Sequence, residues 1–178
     1  MDSTSPFRPL AYSAVLVALG VALGYALAWV PNVELVSFTA ALAGYLLGAS
    51  LGAFVGAMIF MLYSFLSPFG MAPLPLWLAQ GIGGLAWGIC GAVFTKYLAR
   101  PVFAAGIAIA ATLFYDIITN AAGYFAFPTG STFIVYLVSG ISFALVHIVS
   151  NCVLFALLFP LLTAKLGKKP IIRRGMGQ

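Results

Sequence analysis

Gly44-Tyr45-Leu46-Leu47-Gly48-Ala49-Ser50-Leu51-Gly52-Ala53-Phe54-Val55-Gly56 sets a glycine at every fourth position of an apolar run from Glu34 to Leu66. In lipid no hydrophobic force draws helices together, so small residues count as places where backbones approach closely. The run would be about 50 Å long as one helix at ~1.5 Å per residue, against a hydrocarbon core of ~30 Å. It is therefore either one steeply tilted helix or two short spans turned back at Gly48–Gly52. That alternative decides the topology of everything downstream.

The cations choose between the two. Arg8 stands at the N-terminus, Lys96 and Arg100 in one loop, and Lys165, Lys168, Lys169, Arg173 and Arg174 at the C-terminal end. A turn at 48–52 puts all three groups on one side. An unbroken run would put the N-terminus and the 96–100 loop on opposite sides. Because cationic loops stay cytoplasmic, the pattern predicts an all-α, polytopic membrane protein. It has a six-helix transmembrane bundle with both termini cytoplasmic, in the plasma membrane. Helices two and three come out at about 15–17 residues, near the lower limit for spanning.

Composition agrees with this class. Apolar residues make up 63% of the chain and charged residues 6%, too few charges to coat a soluble domain of 178 residues. The apolar runs are continuous rather than alternating, which excludes a barrel of short strands. Cations that flank spans are a topology signal, so no nucleic-acid partner is expected. Cys90 and Cys152 both lie inside apolar runs. They read as small packing residues, with no disulfide framework and no metal site.

In chain order, residues 1–9 read as a cytoplasmic tail, 10–166 as the membrane domain and 167–178 as a basic cytoplasmic tail. The first span is Leu10 to Val30, too long for a signal-peptide core despite its Ala26-Leu27-Ala28. Ala14, Ala18, Ala22 and Ala26 repeat every fourth residue along it, with Gly20 and Gly24 beside them. This stripe suits either ordinary packing inside the bundle or a smooth docking face for a partner helix. Pro31-Asn32-Val33-Glu34 ends the span. A proline-rich loop covers 67–75, the fourth span is Leu76 to Tyr97, and the fifth is Val102 to Phe125. A turn cluster at 127–131 precedes a last helix expected to run from Thr132 to Leu166.

Embedded polar side chains are sparse, and an intramembrane carboxylate is a functional candidate by default. Asp116 and Asn120 share one face of the fifth span. His147 and Asn151 share a face of the sixth, but deeper, which suits bonds between helices. Trp77 and Gln80 stand at the start of the fourth span, and Asn32 and Glu34 at the mouth between the first and second. No nucleophile–base set, paired carboxylates or phosphate loop is present, so no enzymatic activity and no cofactor are expected. Sparse polar and aromatic groups at one end of a bundle suit a small-molecule site.

The helix-one alanines and the segment Gly44-Tyr-Leu-Leu-Gly48-Ala-Ser-Leu-Gly52-Ala-Phe-Val-Gly56-Ala resemble those of substrate-binding S components of energy-coupling factor transporters. The resemblance covers nearly the whole chain. It differs at Ala49-Ser50-Leu51, where the family usually carries a basic residue or proline. It implies that Ala14, Ala18, Ala22 and Ala26 dock a transmembrane coupling subunit driven by two ATPases. It also implies a vitamin or related micronutrient bound near the outer surface, under the loops after helices one, three and five. Candidate ligand contacts are then Asn32, Glu34, Trp77, Gln80, Asp116, Asn120, Tyr124 and Tyr136. Two other classes compete. A structural subunit would turn Asp116 and Asn120 into helix contacts with no cavity, and a lipid-modifying enzyme would use Asp116 or His147 with a second polar group in reach.

Overall fold

The computed structural model describes residues 7–127 and 130–166. Most of the expected tails at 1–9 and 167–178 lies outside the described residues. The described chain is helical: α1 Arg8–Ala26, α2 Val36–Leu47, α3 Ala49–Phe65, α4 Leu74–Val93, α5 Pro101–Ala126, α6 Phe133–Ser139 and α7 Ile141–Leu166. Of these, α1, α4, α5 and α7 are long and apolar enough to cross a membrane, while α2 and α3 are shorter apolar helices.

The glycine ladder breaks at Gly48. Its φ of 87° lies in the left-handed region, which glycine enters without steric cost, and the chain reverses there from α2 into α3. The flanking glycines then let three helices close on one another. A Cβ at Gly88 would overlap the Gly52 carbonyl, one at Gly56 the Gly84 carbonyl, and one at Gly44 the Gly88 carbonyl. Backbone meets backbone across α2, α3 and α4, and no side chain intervenes.

The first helix uses its two kinds of small residue differently. Gly20 and Gly24 are buried, and a Cβ there would stand 2.7 Å from Ile59 and Val36 side-chain atoms respectively. Ala14, Ala18, Ala22 and Ala26 are all exposed. Inside the bundle the glycines make the contact, and the alanines face away from it.

On α7 the buried residues are His147, Asn151, Phe155, Phe159 and Thr163, a strict every-fourth-residue stripe. Its aromatic middle packs with Phe38, Tyr45 and Trp87, at ring-centroid distances of 4.9 Å for Phe38–Phe159 and 5.1 Å for Trp87–Phe155. This aromatic cluster is the core of the fold. The stripe of α5, through Ala104, Ala108 and Thr112, runs antiparallel to it.

The last helix differs from the expectation of one rod from Thr132 to Leu166. It is broken into α6 and α7 at Gly140, whose N–H bonds the Leu137 carbonyl at 3.1 Å. Ser139 turns its hydroxyl back onto the Tyr136 carbonyl at 2.7 Å. A Ser-Gly pair is a common site of helix kinks, because one residue competes for backbone bonds and the other is a weak helix former. Beyond the break, Tyr136 is the one residue of α6 that lines the space at this end of the bundle.

A candidate ligand cavity at one end of the bundle

Where α1 ends, α4 begins, α5 ends and α7 begins, the helices part around a cavity of about 440 Å³. That is within the ~300–1,000 Å³ usual for small-molecule sites. The described cations Arg8, Lys96, Arg100 and Lys165 all belong to the opposite helix ends.

The polar floor grows out of the α5–α7 pairing. Deepest is Asn151, which donates to Thr112 Oγ1 at 3.1 Å between two fully buried residues. One turn nearer the cavity, His147 Nδ1 meets Asp116 Oδ1 at 2.8 Å. The other ring nitrogen, Nε2, lies 3.5 Å from Glu34 Oε1. Glu34 is held from behind: its Oε2 accepts the Ser37 N–H at 2.8 Å, in the first turn of α2, where the helix dipole favours a carboxylate. An imidazole thus sits between two carboxylates from two different segments. With both carboxylates ionised, the group is net negative whether the ring is neutral or protonated.

The 31–34 segment that carries Glu34 is fastened to α7. Asn32 adopts φ 58°, which asparagine tolerates, and donates from Nδ2 to the Phe143 carbonyl at 2.7 Å. Its own carbonyl accepts from Ser150 Oγ at 2.8 Å. Asn32 lines the cavity, but its side-chain donor is spent on holding the loop.

Of the residues singled out from the sequence, Asn32, Glu34, Gln80, Asp116, Asn120 and Tyr136 line this one cavity, and Trp77 and Tyr124 do not. Trp77 donates from Nε1 to the Met61 carbonyl at 2.9 Å, tying α4 to α3. Tyr124 stands one layer back, its hydroxyl on the Ser131 carbonyl at 3.2 Å and its ring 5.6 Å from that of Tyr136. Asn120 donates to the Asp116 carbonyl at 2.7 Å on its own helix. The 31–34 loop and α6 border the cavity, whereas no residue of the 67–75 loop lines it.

His147, Tyr63 and Tyr115 also line the cavity and were not among the expected contacts. One straight helix from Thr132 would put His147 about 23 Å down at ~1.5 Å per residue. Because α7 restarts at Ile141, it lies about 9 Å from the helix start. A signal was available: Thr112–Asp116 and His147–Asn151 are matching polar pairs at helical spacing, and antiparallel pairing brings both into register. The two tyrosines carry no such signal within apolar helices.

Comparison with protein-family models, with curated proteins and with solved structures returns no match to this chain.

Proposed function

We propose that this chain is the substrate-binding subunit of an importer of the energy-coupling factor type. In this reading six passes hold it in the plasma membrane with both termini cytoplasmic. It captures a small micronutrient at the outer face and docks a transmembrane coupling subunit through the helix-one alanines. The observation that carries the reading is the cavity at the bundle end opposite the cations. Under the positive-inside bias that end faces outward, where an importer meets its cargo. The exposure of Ala14, Ala18, Ala22 and Ala26 supports the docking half.

Topology is checked by cysteine labelling after replacing Cys90 and Cys152. Ser50→Cys should react with an impermeant reagent only from the cytoplasmic side, and Ser131→Cys only from outside. Both reacting from one side would remove the hairpin at Gly48 as a pair of passes.

Binding is checked by native mass spectrometry of protein purified in mild detergent, which should show a co-purifying small molecule. Losing one partner of a buried polar contact costs roughly 1–3 kcal/mol, or about ten- to a hundred-fold in affinity. Asp116→Ala should lower occupancy by that order. His147→Ala should do so comparably, since the ring holds both carboxylates in place. Full occupancy in both variants would move the ligand out of this cavity.

An enzymatic reading gains one observation, the 2.8 Å contact of His147 with Asp116, which resembles an oriented general base. The second nitrogen argues against it. It faces Glu34 rather than open space, so no ring nitrogen is left to take a proton from a substrate. Binding accounts for the arrangement better.

A further inference from the structure

The cavity wall carries two carboxylates and buried acceptor atoms without partners. Asp116 Oδ2 and Gln80 Oε1 are buried and take no hydrogen bond, and Glu34 Oε1 has only the 3.5 Å contact with His147 Nε2. A buried polar atom left without a partner costs free energy, most of all on a charged group. Two of the three amides that line it are already engaged as donors, Asn32 with the Phe143 carbonyl and Asn120 with the Asp116 carbonyl. No Lys or Arg is among the described residues lining the space. An anionic ligand would therefore meet two carboxylates against at most the one ring charge of His147, which already lies between them.

We infer that the ligand is a small organic cation with at least two N–H donors, such as an amidine, a guanidine or a protonated amino-heterocycle. It sits with its charged end toward Asp116 and Glu34. This rests on the binding reading above and adds the class of cargo. Its N–H groups supply the donor that Asp116 Oδ2 lacks and a closer one for Glu34 Oε1, and charge-assisted bonds of that kind are the stronger ones. The rings of Phe60 and Tyr115, 5.0 Å apart, line the same space. An aromatic wall suits a planar cation, through the ring quadrupole as well as apolar contact. A bare metal ion fits poorly. The volume of about 440 Å³ is far above the ~30 Å³ of one water. Among the described residues no group of three or more His, Cys, Asp or Glu is placed to hold a metal ion.

Three probes of nearly one shape and different charge test this: benzamidine, benzamide and benzoate, titrated into the chain in lipid nanodiscs and read by thermal shift. Benzamidine should raise the unfolding temperature and bind at least about tenfold more tightly than the other two. Asp116→Asn and Glu34→Gln should each weaken benzamidine by about tenfold or more while leaving benzamide unaffected. The wild-type comparison needs no variant. If Asp116→Asn fails to fold, Glu34→Gln, in the 31–34 loop, decides the residue assignment. Tighter binding of benzoate or benzamide overturns the cation assignment but leaves a working pocket. No shift with any probe overturns it too, and if no molecule co-purifies either, the binding reading falls with it.

Discussion

Gly88→Ala should destabilise this protein severely, whereas Gly106→Ala should leave stability unchanged or raise it slightly. Both are glycines in long helices, so composition and helix propensity treat them alike. Around Gly88 a Cβ would overlap the Gly52 carbonyl and carbon, which are backbone and cannot rotate aside. The α3–α4 pair would have to separate, loosening the Gly56–Gly84 contact one turn away and, between α2 and α4, the contact of Gly88 with Gly44. Overpacking of this kind costs about 1–3 kcal/mol or more, a large part of a total stability of ~5–15 kcal/mol. Around Gly106 nothing lies within 4 Å of the added atom. There the alanine gains up to about 1 kcal/mol of helix preference. Thermal unfolding of the two variants in the same detergent checks the contrast. Equal melting temperatures would mean that the three-helix contact is looser than described.

Ala18→Trp should abolish transport and co-purification of a coupling subunit, with ligand binding intact. Ala14, Ala18 and Ala22 share an apolar groove with Phe54, Met58 and Leu62 of α3, and none of them lines the polar cavity. Close approach of a partner helix depends on the missing side chain, so an indole there holds the partner off by several ångströms. A loss of transport of at least about tenfold, with unchanged ligand occupancy, is expected. Transport at the wild-type rate would make this groove a lipid-facing surface. The two predictions separate cleanly: the first tests a contact within the chain and the second a proposed contact between chains.

Much of the architecture is legible before any coordinates. The fourfold glycine spacing, the three cation groups and the prolines at 31 and 67–75 place the α2–α3 turn and the ends of the long helices. The polar residues of α5 can be named as a face, and Glu34, Gln80, Asp116 and Asn120 do come together. Trp77 shows the limit of that reading. It lies at the same level as Gln80, but its indole is drawn to the Met61 carbonyl instead of the cavity. Three positions separate the two on one helix, so level alone cannot say which neighbour each side chain meets.

Periodicity is readable from the residues alone: which of them share a face of one helix, where glycine or proline breaks it, and which end carries the cations. These are properties of a single segment and its immediate chemistry. Which face meets which neighbour is set by packing between segments. It turned the glycines of α1 inward and the alanines outward, although both repeat along the same helix. It broke the last helix at Gly140, raised His147 to the level of Asp116, and set that ring between two carboxylates. The reason is that the glycine contacts of α2, α3 and α4 fix how closely those helices approach. The remaining helices then take the rotations that bury the Phe155–Phe159 stripe against them, and the side chains at the open end follow.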